Sequence, residues 1–358
     1  MKAFVTGSTG LLGNNLVRLL LAQGHEVKAL ARSADKAERT LGDTSAEIVL
    51  GDMADVAGFA HEMAGCDALF HCAAYFREYY SAGEEDHWRI LQKINIDGVV
   101  NILTAAEAQG VQKAVHVSSS GVIGINGDKP GNESTPPDPL TQKNLYFKSK
   151  VLAEKAVQDF LKTHQMPVVL ILPGWMMGPN DAAPTDSGQM ILDLVNGEMP
   201  GVFDGGTSVV DARDVAQAMI DAIEYGRSGE RYIVGGRAQK LIDIAQTVSQ
   251  LTGAKVPRTI PYPLVLAMAW ASETKARLTN SETLMTVTGV RTLHTYLTVD
   301  SSKVQKELGI TFRPLAETIQ DEIEWYTANG QLPQSTNKQA LGNNPKQNIK
   351  SNTLAKTS

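Results

Sequence analysis

The sequence predicts an α/β fold: a doubly wound parallel sheet with a smaller, partly interleaved α/β lobe. Three observations lead to it. Short apolar runs alternate with helical stretches through the first 173 residues, the pattern of parallel strands covered on both faces. A glycine-rich turn containing Gly7, Gly10 and Gly13 joins the first such run to the first helical one. From about Gly174 the alternation loosens without a clear linker, so the second lobe shares chain with the first.

Residues 3–5 read as the first strand, and residues 11–21 show helical spacing that stops at Gly24. Residues 26–30 are the second strand, and further strands are expected at 47–50, 68–72, 114–117 and 168–172. Helices lie between them, notably over 90–109 and 148–163. Beyond 174, residues 211–225 and 241–252 look helical, and 257–263 is a proline-rich break. Residues 262–280 are apolar first and charged later, as in a helix over a pocket, and 301–308 and 315–327 read as closing helices. The expected division is a first domain over 1–173 that takes in later segments, a second lobe over 174–330, and a tail over 331–358. The tail has four lysines, no acidic residue and no aromatic, so it cannot bury enough to order itself.

At 358 residues, 42% hydrophobic and 20% charged, the chain is an ordinary globular one with room for such a pair of lobes. A net charge of −6 argues against a nucleic-acid partner. The two cysteines, Cys66 and Cys72, form no CxxC pair, and the seven histidines show no zinc-like spacing, so no metal is expected. They read as buried thiols of a reducing compartment. Met1 runs directly into a strand pattern, and the apolar run 264–271 is far short of the ~18–20 residues that span a bilayer. A cytoplasmic protein with no membrane partner is the expectation.

Glycine at positions 7, 10 and 13 allows a tight turn, a close approach of backbone to a pyrophosphate, and close packing of helix on strand. The helix starting near Leu11 then offers free N–H groups and a positive dipole end to phosphates. The strand–turn–helix context makes this a Rossmann-type dinucleotide site built from Gly7, Thr9, Gly10, Leu11, Leu12 and Gly13. An acidic residue at the end of the second strand would favour NAD by binding the ribose 2′-hydroxyl. Here that place holds Arg32 and Ser33, with Lys36 a turn away, a set suited to a 2′-phosphate. NADP is therefore expected in preference to NAD. Asp52 and Met53 follow the third strand, where a carboxylate reaches the adenine amino group. Ala73 and Ala74 follow the fourth, where small side chains let a dinucleotide lie against the backbone.

Tyr146 and Lys150 are four residues apart and share one face of a helix. A phenol of pKa ~10 is a poor acid–base group at neutral pH, and a nearby ammonium lowers that value. Lys150 is also suited to the nicotinamide ribose hydroxyls. The strand 114–117 ends in Ser118, Ser119, Ser120 and Gly121, which puts hydroxyls at the carboxyl edge of the sheet. A serine there can hold the carbonyl oxygen that Tyr146 protonates. The spacing leaves Ser119 and Ser120 open, and we choose Ser120 from its distance to Gly124.

Over roughly residues 1–330 the chain resembles the extended short-chain dehydrogenase/reductases. Beyond the two motifs it shares blocks at 95–98, 133–139, Ser149–Lys150 with Glu154, 172–179 and 211–216. The resemblance implies Asn95 as a fourth catalytic member, holding a water and Lys150 in a proton relay. It also implies that Pro173, Gly174, Trp175 and Met176 line the nicotinamide, and that the protein is a homodimer through the Tyr146 helix and the one near Asn95. Ile90, Ile94, Val151 and Leu152 would form that contact. Three departures set the chain apart from sugar-nucleotide relatives: Ile123 replaces a tyrosine, Leu172 replaces an arginine, and no acidic pair follows the serines. Dehydration is therefore disfavoured, and the style of 29–33 and 211–216 is closer to the dihydroflavonol-reductase-like and hydroxysteroid-dehydrogenase-like branches.

The expected activity is NADP(H)-dependent reduction of an aldehyde or ketone, with Tyr146 giving the proton. The apolar segments 175–177 and 264–270 would supply a partly hydrophobic pocket. The alternatives are a nucleotide-sugar epimerase with retained NAD, using Arg213, Arg237, Arg277 and Arg291 for a diphosphate, and a non-catalytic NADP-sensing module. The aromatic run over 75–80 follows the fourth strand and is given no catalytic work.

Overall fold

The computed structural model describes residues 1–76, 84–127, 129–139, 143–279, 283 and 285–333. Residues 77–80 of the aromatic run and 334–358 of the expected tail lie outside the described residues.

Six strands appear where the apolar runs place them, within one or two residues: β1 (Lys2–Thr6), β2 (Glu26–Ala31), β3 (Glu47–Leu50), β4 (Ala68–His71), β5 (Lys113–Val117) and β6 (Val168–Pro173). Four more were not read from the sequence: β7 (Trp175–Met177), β8 (Gly206–Asp211), β9 (Arg231–Val234) and β10 (Arg237–Lys240). The main sheet has seven strands in the order β3-β2-β1-β4-β5-β6-β9, and every pairing in it is parallel. This is the Rossmann order extended by one strand. Its seventh strand comes from beyond residue 173, so the two lobes interleave there. The smaller sheet, β10-β8-β7, pairs β8 with β7 in parallel and with β10 antiparallel.

The helices are α1 (Leu11–Ala22), α2 (Ala34–Leu41), α3 (Glu84–Leu91), α4 (Gly98–Ala108), α5 (Leu145–Phe160) and α6 (Asp186–Asn196). The later ones are α7 (Ala212–Glu224), α8 (Leu241–Thr252), α9 (Tyr262–Thr279), α10 (Val287–Thr295), α11 (Ser302–Leu308) and α12 (Leu315–Ala328). Alternate strand residues face opposite cores. Ala3 and Val5 of β1 belong to one core with Leu16 of α1, Met219 of α7 and Leu308 of α11, whereas Phe4 belongs to the other, with Ile102 of α4 and Val157 of α5. The second lobe has its own core of Met177, Ile191, Val209, Ile244, Val248 and Ile319.

Two helices depart from the expected form. The stretch read as one helix over 90–109 is broken by a π-helical turn, Gln92–Asp97, between α3 and α4. Such a turn inserts an extra residue and often marks a functional site, and here it drives the buried Asn95 inwards. The segment expected over 262–280 is helical as far as Thr279, and its buried residues are Val265, Ala269 and Ala276, while Leu264 and Trp270 lie 55% and 66% exposed. These two side chains lie outside the lobe's core. Among the described residues, no helix is long and apolar enough to cross a membrane.

Candidate active site

The site lies along the carboxyl edge of the main sheet, where β1, β2, β4, β5 and β6 end. At β1 the three glycines differ in what they permit. Gly7 has φ +67°, and a Cβ there would lie 2.7 Å from the Ala73 nitrogen, so the turn is pressed against the exit of β4. A Cβ on Gly13 would lie 2.2 Å from the Gly7 oxygen, so α1 can pack this close only with glycine. A Cβ on Gly10 would meet nothing nearer than the Gly7 oxygen at 3.5 Å. Gly10 is the exposed N-cap of α1, without a capping side chain or an acidic residue in the first turn. That leaves an open helix N-terminus, the cradle a pyrophosphate requires. Ser8 anchors the turn by donating to the Leu30 carbonyl at 2.7 Å, and the Ala73 N–H donates to Thr6 Oγ1 at 3.2 Å. Thr9 is half-buried beside them, and Leu11 and Leu12 turn into the core.

At the end of β2, Arg32 is exposed and Lys36 half-buried in the first turn of α2. Ser33 is the N-cap of that helix, its hydroxyl accepting the Lys36 N–H at 3.3 Å. Asp52 is exposed and accepts the Ala54 N–H at 2.8 Å, so its carboxylate already closes a turn. The Met53 side chain is buried among the residues under α4, which leaves only its backbone facing a ligand. Ala73 is half-buried and Ala74 exposed along the same edge.

The chemical end is set by α5. Asn144 caps it, its Oδ1 accepting the Tyr146 and Phe147 N–H groups at 2.9 and 3.2 Å. The helix thus begins at Leu145, three residues before the expected start at 148, and Tyr146 stands in its first turn. An asparagine before a helical run was the available signal. Lys150 is 3% exposed, and its Nζ donates to the Val117 carbonyl at 2.8 Å and lies 5.6 Å from the Tyr146 ring centre. Burial pulls its pKa down to about 8, against the pull of the Glu154 carboxylate. Beneath it, His71 and His116 stack at 5.2 Å within the sheet. Burial, together with the Lys150 charge, lowers His71 to about 3, so it stays neutral and adds no second cation.

The three serines after β5 have different fates. Ser118 is buried and donates to Glu154 Oε1 at 2.5 Å, so its hydroxyl is committed. Ser119 Oγ accepts the Gly121 N–H at 3.1 Å, which fixes the side chain yet leaves its proton to give. Ser120 begins the short 3₁₀ turn Ser120–Val122. Of the two open candidates, the hydroxyl with a fixed place is that of Ser119.

Asn95 is 2% exposed. Its Oδ1 accepts the Tyr75 N–H at 2.7 Å, and its amide donates to the Tyr75 carbonyl at 2.9 Å and to Ser149 Oγ at 3.1 Å. Ser149 in turn donates to the Tyr146 carbonyl at 2.6 Å. Both amide hydrogens of Asn95 are therefore spent on a clamp between the β4 exit and α5, not on Lys150. Across the edge, Gly174 sits where two backbones converge, since a Cβ there would lie 2.7 Å from the Gly235 and Ser208 oxygens. Pro173 ends β6, and Trp175 and Met176 follow half-buried on β7.

The arrangement joins a phosphate cradle to a phenol backed by a buried ammonium on one sheet edge. The family model described as "NAD dependent epimerase/dehydratase family" matches residues 3–235. This chain belongs to that family. It is an extended short-chain dehydrogenase/reductase, for which a nicotinamide cofactor, NAD or NADP, is expected. A Synechocystis sp. protein provisionally named as a dihydroflavonol 4-reductase is 32% identical over 334 residues, covering 91% of this chain and 95% of that one. Sterol demethylase protein B of Methylococcus capsulatus is 30% identical over 336 residues, covering 93% and 100%. The crystal structure of gox2253 matches with a TM-score of 0.77 at 32% identity, covering 92% of this chain and 99% of that one.

Proposed function

We propose that this reductase takes NADPH and reduces the carbonyl group of a largely apolar, ring-bearing compound, or runs the reverse oxidation. The observation that carries this reading is the buried Lys150, held on the Val117 carbonyl behind Tyr146 at the edge that bears the open α1 N-terminus. When bound, the nicotinamide supplies the hydride. The chain's own work is then positional and protonic. Tyr146 Oη gives a proton to the substrate oxygen, the Ser119 hydroxyl holds that oxygen, and Lys150 steadies the phenol and binds ribose hydroxyls. Ser120 keeps the alternative place for the oxygen-holding hydroxyl. Gly7, Thr9, Gly10, Leu11, Leu12 and Gly13 would hold the pyrophosphate, Asp52, Met53, Ala73 and Ala74 the adenosine side, and Pro173, Gly174, Trp175 and Met176 the nicotinamide.

The names of the Synechocystis and Methylococcus relatives point to flavonoid and sterol substrates, both of them fused rings. The second lobe supports an apolar substrate over a diphosphate. Arg213, one of the arginines an epimerase would use, is bound at 2.6 Å to Asp211 and at 2.6 Å to Asp321. NADP is favoured by the exposed Arg32 beside Ser33 and Lys36, with no carboxylate at the end of β2. A second copy of the chain is expected on the face of Ile90, Ile94, Val151 and Leu152, of which Ile90 and Leu152 are exposed.

The test is a panel of ketones and aldehydes, with NADPH and NADH in parallel, read at the nicotinamide absorbance. Arg32→Ala is expected to cost roughly 10- to 100-fold in kcat/KM for NADPH, the worth of one or two charge-assisted hydrogen bonds, and little for NADH. Equal use of both cofactors by the unaltered enzyme would overturn the assignment of Arg32. Inactivity on all carbonyls, with cofactor retained, would favour epimerisation.

A further inference from the structure

We infer that Phe76 is the residue that reads substrate shape, its exposed ring forming a wall beside Tyr146 that favours a flat fused-ring carbonyl over an open-chain one. This rests on Tyr146 being the proton donor.

The placement of Phe76 is built, not incidental. β4 leaves the sheet through Ala73 and Ala74, and Tyr75 is then pinned at three points. Asn95 takes both its backbone polar groups, at 2.7 and 2.9 Å, and the Tyr75 hydroxyl meets His87 Nδ1 at 2.8 Å. The Tyr75 and His87 rings also stack, with centres 6.2 Å apart at 17°. With Tyr75 fixed, the direction of the next residue is fixed. Phe76 consequently meets the Tyr146 ring edge-on, with centres 4.7 Å apart at 73°. That is a favoured aromatic geometry, in which the positive edge of one ring faces the negative face of another.

The same ring is 47% exposed. A large apolar surface left open beside a proton donor is where a substrate's apolar body can gain contact, and the gain grows with the flat area covered. Lys148, on α5, lies over the Trp88 ring with Nζ 4.4 Å from its centre, so that cation is turned to an indole. Phe76 itself offers no hydrogen bond, so it rewards ring area and not hydroxyl pattern. The reaction it serves balances as NADPH, a proton and a ketone going to NADP⁺ and an alcohol.

The experiment compares a fused bicyclic ketone (a tetralone) with a straight-chain aldehyde (hexanal), in the full chain and in Phe76→Ala and Phe76→Leu. Phe76→Leu keeps apolar bulk without the flat face and guards against misfolding of the alanine variant. The ratio of kcat/KM for ketone over aldehyde is expected to fall about ten-fold or more in both variants, through KM, with the pH profile of kcat in place. Binding of the matching bicyclic alcohol to the NADP⁺-loaded protein, followed by intrinsic fluorescence, is expected to weaken by the same factor. An unchanged ratio would overturn the proposal. So would an equal loss on both substrates with a displaced pH profile, which would make Phe76 a prop for Tyr146. Because binding needs no turnover, absence of any carbonyl reduction would count against the proposed reaction, while the binding series would still decide on Phe76.

Discussion

Replacing Lys150 by methionine should make the cofactor-free protein more stable at neutral pH while abolishing its chemistry. Lys150 is an ammonium taken out of water, with burial as the leading cause of its fall from the usual 10.5 to about 8. At ~1.36 kcal/mol per unit, the charged form costs about 3.4 kcal/mol more in the folded chain than its neutral form does. Methionine fills a similar volume, removes that cost, and gives up the hydrogen bond from Nζ to the Val117 carbonyl. Leaving that carbonyl bare costs about 1–1.5 kcal/mol, so the net gain at pH 7 is about 2 kcal/mol. In a chain of this size that raises Tm by a few degrees. The folded pKa is the lower one, so between about 8 and 10.5 the folded state binds fewer protons than the unfolded state. Stability of the unaltered protein therefore rises with pH through that window, and the full cost is felt below it. The assay is urea unfolding followed by circular dichroism at pH 7, 9 and 10.5, in both proteins. The advantage of Lys150→Met should shrink across the window and reverse by about 1 kcal/mol at the top. A variant less stable at pH 7, or a difference that does not move with pH, would refute the account of Lys150 as a functional charge held at a cost.

Glu322 should behave in the opposite sense. It is fully buried and accepts the Gly178 N–H at 3.1 Å, and burial, with the Asp181 and Asp211 charges, pushes its carboxyl well above the usual range. The folded state then holds the extra proton, so stability is lost as pH rises above the ordinary carboxyl value. Glu322→Gln should flatten that fall and be the more stable protein at pH 8 in urea melts; a steeper loss would contradict it. Of the two serines, Ser119→Ala should cost about 100-fold or more in kcat/KM, the usual price of an oxyanion donor, and Ser120→Ala less than ten-fold. The reverse ranking would restore Ser120 to the role its spacing suggested.

Much of this was legible because it depends on local pattern. The strands β1, β2, β4, β5 and β6 are short apolar runs buried over most of their length, and β6 is buried at every position, so their composition marks them, whereas β3, at the sheet edge, buries only Val49. The glycines at 7, 10 and 13 were readable because they fall within one strand–turn–helix unit, where Gly7 and Gly13 meet steric demands and Gly10 leaves the helix N-terminus open. The second lobe was less legible. β10 reads Arg237, Ala238, Gln239 and Lys240, a mostly exposed polar strand that forms by pairing with β8. β9 lies only four residues long between glycine-bearing turns, and its place beside β6 is a long-range fact. The Asn95 clamp was hidden for a related reason. Its partners, Tyr75 and Ser149, are 20 and 54 residues away in sequence, and the π-helical turn that aims it has no periodicity of its own. Choosing between Ser119 and Ser120 required the direction of a hydroxyl, which spacing does not carry.

The most direct test follows the hydrogen. NADPH deuterated at the transferable position of C4 should be incubated with a fused-ring ketone, and product and cofactor analysed by mass spectrometry. The account predicts one deuterium on the carbinol carbon for each NADP⁺ released, with the rate lost by at least about 1,000-fold in Tyr146→Phe while NADPH still binds. Deuterium that stays on a tightly held cofactor, with no alcohol formed and full turnover of a sugar nucleotide, would contradict it.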